Sequence, residues 1–296
     1  LNKTESNQFM PKASPPTFRT LLVLGRVSNL PTVWSNCLAG WMLGGGGSTA
    51  RWWLLSLAAS ALYVGGMYLN DACDAAFDRQ HRRERPIPSG AISVGLVWRL
   101  GGCLLASGWL ILCCLGWSTG CIGTFLLVSI LVYDFVHKAV SFSPILMALC
   151  RFFLFLSAAS TGVDGVTGLA VWSAFALAGW IIGLSYLARR ESTTNSLRYW
   201  PLVVLALPLL LAWIANGNET RLKALYLALL LVGWSTWCLR HIWVDANRNL
   251  GLSVSGLLAG ICVVDWLAVV PNYSLGAVFL GLFLAALAAQ RLIPAT

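Results

Sequence analysis

Ten apolar segments follow one another along this chain, at approximately 21–43, 53–77, 94–115, 119–136, 144–162, 168–188, 200–215, 223–239, 251–270 and 274–292. Most run for about 17–25 residues, the length an α-helix needs to cross a hydrocarbon core about 30 Å thick. The segment near 200–215 is the shortest, so the pattern predicts nine to ten spans of an all-α, polytopic transmembrane bundle. Charge content agrees. Only 10% of residues are charged and 58% are hydrophobic, with a mean hydropathy of +0.74. A soluble domain needs about 25% charge to keep its surface wet, so most of this surface is expected to face lipid.

Outside the spans the chain is short of material for further domains. Residues 1–18 are polar and carry Pro11, Pro15 and Pro16, which predicts a disordered tail ahead of one transmembrane domain over 19–296. No cleavable signal peptide is expected, because the apolar segment from Leu21 is long enough to stay as a span. The nine cysteines lie almost entirely within apolar segments and show no CxxC or other metal-ligand spacing. They read as small buried hydrophobes.

Lys and Arg sort to one side of a ten-span path. Lys3, Lys12, Arg19, Arg79, Arg82, Arg83, Arg85, Lys138, Arg189, Arg190, Arg198, Arg240, Arg248 and Arg291 fall together, against Arg51, Arg221 and Lys223 opposite. By the positive-inside rule, both termini and the 78–93 and 189–199 loops are cytoplasmic in a multi-pass protein, of the cell inner membrane in a bacterium. The net charge of +9 then suits anionic headgroups or a diphosphate and calls for no nucleic acid. Tryptophans such as Trp41, Trp52, Trp53, Trp117 and Trp200 flank spans, where amphipathic rings favour the membrane interface.

One stretch stands apart chemically. Asn70-Asp71-Ala72-Cys73-Asp74-Ala75-Ala76-Phe77-Asp78 closes the second segment and holds three of only 11 acidic residues. The 3- and 4-residue spacing stacks Asp71, Asp74 and Asp78 on one helix face. Carboxylates so close repel unless a cation neutralises them, and oxygen ligands point to Mg²⁺. A solvated helix end is the plainer reading, but the apolar run Ala61–Leu69 before it makes unpaired charge expensive. Arg79 to Gly90 follows, with Arg85 tied to a Pro86-Ile87-Pro88-Ser89-Gly90 turn. Acid followed by base in one loop suits a metal-bridged polyphosphate, with guanidinium groups on its oxygens.

Asn70-Asp71-x-x-Asp74-x-x-x-Asp78 with Arg85-Pro86-x-Pro88-Ser89-Gly90 resembles the first aspartate-rich motif of the UbiA superfamily of intramembrane prenyltransferases. Family-like features recur at Arg26 and Asn29, at Tyr133 and Lys138, and at Ser143-Pro144 with Met147 and Arg151. The resemblance implies a helical bundle around a central cavity opening to the cytoplasmic side. It implies Mg²⁺ on Asp71, Asp74 and Asp78, supported by Asn70, holding an isoprenyl diphosphate for transfer to a small lipophilic acceptor in the membrane. Arg85 and Lys138 would stabilise the departing charge, together with Arg151. Asn29 and Tyr133 would contact substrate. Arg151 lies about two turns inside its segment, where a lone cation costs about 2.5–3.5 kcal/mol, so an interior, partnered position is expected. Aromatics such as Phe77 and Phe152 would line the tail's path.

The second motif of that superfamily departs from pattern here. Its place is taken by Ala188-Arg189-Arg190-Glu191-Ser192, with one carboxylate and two arginines. Arg189 and Arg190 are read as a fixed diphosphate clamp, with Glu191 on a metal or orienting an arginine. The competing readings are binding without turnover and simple topogenic charge. This form suggests a divergent branch, such as the UbiA-like members called EboC. A non-catalytic protein that binds or transports a prenyl or lipid phosphate is the alternative function. A CDP-alcohol phosphotransferase is disfavoured because the order of residues around Asp71 differs. His137 beside Lys138 is a candidate for proton transfer, and Asp134 and Asp265 are expected to need buried partners.

Overall fold

In lipid every backbone N–H and C=O needs a partner within its own segment, which long apolar runs obtain as helix. The computed structural model describes residues 16–188, 200–243, 250–270 and 275–293, and all regular structure among them is helical. The order is α1 (Phe18–Leu24), a 3₁₀ turn (Val27–Asn29), α2 (Leu30–Leu43), α3 (Thr49–Cys73), α4 (Ala75–His81), α5 (Val94–Leu115), α6 (Trp117–Val136) and α7 (Ser143–Ala159). There follow α8 (Gly168–Ala188), α9 (Trp200–Leu205), α10 (Leu207–Ala215), α11 (Asn218–Trp243), α12 (Leu250–Ala259), α13 (Ile261–Ala268) and α14 (Gly276–Leu292).

Among the described residues, six stretches are long and apolar enough to cross a membrane: Thr49–Cys73, Val94–Leu115, Trp117–Val136, Gly168–Ala188, Asn218–Ile242 and Leu250–Ala268. Ser143–Ala159, Trp200–Ala215 and Gly276–Leu292 are shorter apolar helices. Faces left outside the bundle carry exposed Phe125, Val128, Val132 and Phe135 on α6, and Leu222, Leu225 and Leu229 on α11. Such continuous apolar surface calls for lipid or protein cover.

Three expected continuous segments are broken, each for a local reason. The 21–43 segment ends its first helix at Leu24, and Arg26 takes a left-handed φ of 43° before the 3₁₀ turn. Pro31 then sits in the first turn of α2, where its missing N–H costs nothing. Pro208 does the same in the first turn of α10, parting it from α9. The third break, at Gly260, has a tertiary cause. Trp180 of α8 donates its indole N–H to the Leu257 carbonyl at 3.1 Å. A side chain bonded to a helix carbonyl interrupts the i→i−4 ladder locally, while the bonds from Gly260 to Gly256 and from Val264 to Gly260 persist. Gly260 leaves room, since a Cβ there would stand 3.1 Å from the Trp180 ring.

The central element is α2. Val33 and Cys37 join the apolar core built on α3, α5 and α6, while Leu38 and Ala39 join the core of α8, α12 and α13. The α3–α5 contact is close because Gly65 faces the Gly101 carbonyl, 3.0 Å from where a Cβ would stand. Small residues at such crossings let helix backbones approach.

Candidate functional site: a buried acid–base cluster where α3 ends

The aspartate stretch folds as two helices that nearly run on, where the spacing predicts one. Asp74 closes α3 and opens α4, and the backbone bonds Asp74 N–H to Asn70 O and Asp78 N–H to Asp74 O, both 2.9 Å, keep helical spacing through the junction. All three carboxylates are buried, with Asp71 6%, Asp74 7% and Asp78 1% exposed. They do not splay into solvent.

Each carboxylate meets a cation. Arg85, delivered by the turn after α4, reaches Asp78 Oδ2 at 2.8 Å and Asp71 Oδ1 at 3.4 Å through Nη1. Arg26 Nη2 stands 3.6 Å from Asp71 Oδ1, so the left-handed residue at the α1–α2 break brings a second guanidinium to the cluster. Lys138, just past α6, approaches Asp74 Oδ1 at 2.7 Å and lies 3.9 Å over the Phe77 ring. His137 Nε2 stands 3.4 Å from the same oxygen. Burial works against the charge on Asp74, but the hydrogen bonds from His137 and Lys138 outweigh it and hold its carboxyl below the usual carboxylate range. Tyr133 stacks on the His137 ring at 5.0 Å. Asn70 donates to Asp134 Oδ1 at 3.4 Å, which gives Asp134 its partner.

The carboxylates are thus gathered but divided: Asp71 and Asp78 share Arg85, and Asp74 turns to Lys138 and His137. Among the described residues no group of three or more His, Cys, Asp or Glu converges as a ready-made metal cage. Mg²⁺ does not demand one, since it binds through one or two carboxylates together with phosphate oxygens and water. Asp78 Oδ1 is buried with no hydrogen-bond partner, and so remains a donor atom that the protein itself does not use. The donor set fits the ion.

Two predicted substrate contacts belong to a second polar group, deeper along α2. Asn29 donates to Tyr63 Oη at 3.3 Å and accepts from Gln290 of α14 at 3.3 Å. Arg151 is partnered, as the cost of a lone cation requires: Nη1 donates to Asn36 Oδ1 at 2.6 Å and Nη2 to Thr32 Oγ1 at 3.0 Å. Asn36 in turn donates to Asp265 Oδ2 at 2.7 Å, and Ser35 donates to the same oxygen. Arg189, Arg190 and Glu191 lie outside the described residues. Sequence reasoning left Arg26 and His137 out of its site residues and could not name the partners of Asp265. The available signal for the deeper group was the run of polar residues Asn29, Thr32 and Asn36 at 3- and 4-residue spacing in an apolar segment.

Six membrane-length apolar helices among the described residues, with buried acids met by cations at the end of one of them, define an integral membrane protein. The chain belongs to the UbiA prenyltransferase family, whose sequence profile matches residues 30–195. No curated protein sequence matches it. Three solved structures share the fold at low identity. A UbiA homologue from Archaeoglobus fulgidus bound to GPP and Mg²⁺ is 16% identical with a TM-score of 0.64, covering 91% of this chain and 99% of that one. A structure of digeranylgeranylglyceryl phosphate synthase is 18% identical with a TM-score of 0.58, covering 91% and 98%. An apo UbiA homologue from Aeropyrum pernix K1 is 18% identical with a TM-score of 0.57, covering 82% and 98%.

Proposed function

We propose that this protein transfers an isoprenyl group from an isoprenyl diphosphate to a small lipophilic acceptor within the membrane, with Mg²⁺ at the α3–α4 junction. The observation that carries the reading is the burial of Asp71, Asp74 and Asp78, each against a cation. Asp71, Asp74 and Asp78 hold the ion, and Asn70 supports them from the preceding turn. Bound there, Mg²⁺ would supply positive charge to the leaving diphosphate. Arg85 and Lys138 are the side chains that exchange a carboxylate partner for diphosphate oxygens. Their guanidinium and ammonium groups then stabilise the charge that develops as the C–O bond breaks. The resemblance assigns Arg189 and Arg190 the part of a fixed diphosphate clamp, with Glu191 on a metal or orienting an arginine. Asn29 and Tyr133 line the substrate chamber of a nine- to ten-span bundle whose open side is cytoplasmic, and Arg151 braces its wall through Asn36 and Thr32. An acceptor carbon or oxygen attacks the allylic centre and loses its proton to a base, a part assigned to His137 beside Asp74.

The solved relative bound to GPP and Mg²⁺ supports this choice of donor class. The test is diphosphate release from geranyl diphosphate by the purified protein, with and without Mg²⁺, across a panel of lipophilic acceptors. Release that needs both Mg²⁺ and an acceptor is expected. Tight Mg²⁺-dependent binding without release would favour the second reading, a binding or transport protein, for which the single carboxylate of the 189–191 stretch speaks.

A further inference from the structure

Away from the carboxylates, a cleft of about 510 Å³ opens between α11, α13 and α14. Binding pockets for small ligands occupy about 300–1,000 Å³, so its size is that of a site. Its walls are Leu230, Gly233 and Trp237 of α11, Trp266 of α13, and Leu280 and Phe283 of α14. The aromatic wall is held in place. Trp234 donates its indole N–H to the Gly256 carbonyl at 2.8 Å, packs edge-on against Phe283 with centroids 4.9 Å apart, and stacks on Trp237 at 5.0 Å. Gly233 leaves the space open, since a Cβ built there meets nothing within 4 Å.

One end of this cleft is basic. Arg240 occupies the last turn of α11, and Arg291 the last turn of α14. Between these helices α12 runs back along α11, since Ser253 donates to the Cys238 carbonyl and Trp234 to the Gly256 carbonyl, and Gly276 at the start of α14 meets Trp266 near the end of α13, so α11 and α14 finish on the same side. The Arg240 guanidinium lies 5.5 Å from the centroid of the Trp237 ring, at the cleft's edge. From Arg240 to Leu230 is ten residues of helix, about 15 Å at the α-helical rise. That is half of a hydrocarbon core about 30 Å thick. A basic rim over an apolar slot one leaflet deep matches a lipid standing with its phosphate at the helix ends and its chain pointing to the midplane. Basic pockets between helices recognise anionic headgroups in this way.

We propose that the cleft between α11, α13 and α14 seats one acyl chain of an anionic phospholipid, whose phosphate is held at the basic ends of α11 and α14. The seat is separate from the carboxylate cluster and does not depend on prenyl transfer. The experiment is photolabelling in phosphatidylcholine nanodiscs, with a trace of phosphatidylglycerol carrying a diazirine midway along one chain, followed by peptide mapping. Adducts are expected on peptides spanning Leu230–Trp237 and Leu280–Phe283, competed by unlabelled phosphatidylglycerol and not by further phosphatidylcholine. Arg240→Gln lowers the labelling about fivefold, the weight of one basic residue at a membrane surface. Gly233→Phe fills the slot and removes the adducts; Arg240→Gln, at the helix end, keeps the test decisive if that variant does not fold. Equal competition by phosphatidylcholine, or unchanged labelling of Arg240→Gln, overturns the proposal. So does displacement of the lipid by geranyl diphosphate with Mg²⁺, which would assign the slot to the prenyl donor.

Discussion

The two buried polar clusters, one where α3 ends and one built on α2, meet their charges differently. Where α3 ends, cations touch carboxylates directly, at 2.8 Å for Arg85 with Asp78 and 2.7 Å for Lys138 with Asp74. Deeper in the bundle Arg151 and Asp265 are kept apart by Asn36, whose amide accepts from one and donates to the other. A direct pair can exchange partners: a carboxylate released from Lys138 still has an ion to bind, and the ammonium a phosphate. A charge held through a neutral amide has no such exchange, because each of its bonds also staples one helix to another. The first arrangement suits a site that opens to ligand, and the second suits a strut joining α2, α7 and α13.

If that contrast is right, the two clusters should respond to mutation in different currencies. The largest effect is expected for Asp71→Ala and Asp74→Ala, each lowering Mg²⁺-dependent turnover at least about a hundredfold, or about 2.7 kcal/mol. Thermal unfolding in detergent should change little. Asp265→Ala should do the reverse. It strands the Ser35 hydroxyl and the Asn36 amide without an acceptor, at about 1–3 kcal/mol for each buried group left unpaired. Unfolding temperature falls while geranyl diphosphate binding persists. Loss of binding with unchanged stability would erase the distinction between site and strut. Lys138→Gln removes the charge but keeps a donor, and should weaken diphosphate affinity about tenfold, or about 1.4 kcal/mol, a little less than the loss of a whole hydrogen bond to a charged group. The smallest effect is expected for Arg189→Ala with Arg190→Ala, a several-fold weaker diphosphate affinity by titration calorimetry. Unchanged affinity would leave them as topological charges.

The same contrast shows what was legible in the amino-acid sequence. Asp71, Asp74 and Asp78 stood out because charge is scarce in this chain and their spacing is helical, and both properties are local. Arg85 followed from its place in a proline-bounded turn. The need of Arg151 for partners was also readable, from the cost of a cation among apolar residues. Which residues met that need was not, since Asp265 lies 229 positions from the Asn36 that links them. Arg26 escaped notice as a site residue because its role depends on a left-handed turn at a residue type that carries no signal for one. The break at Gly260 was hidden for a similar reason. It is imposed by Trp180, which belongs to another helix.

The account rests on the claim that the acids ending α3 hold a divalent ion which in turn holds a diphosphate. Replacing Mg²⁺ by Mn²⁺ and recording pulsed electron paramagnetic resonance with geranyl diphosphate bound tests it directly. Phosphorus hyperfine coupling to the bound Mn²⁺ is predicted for the unaltered protein and should vanish in Asp74→Asn. Manganese that binds with no phosphorus coupling, or coupling that persists in Asp74→Asn, would contradict it.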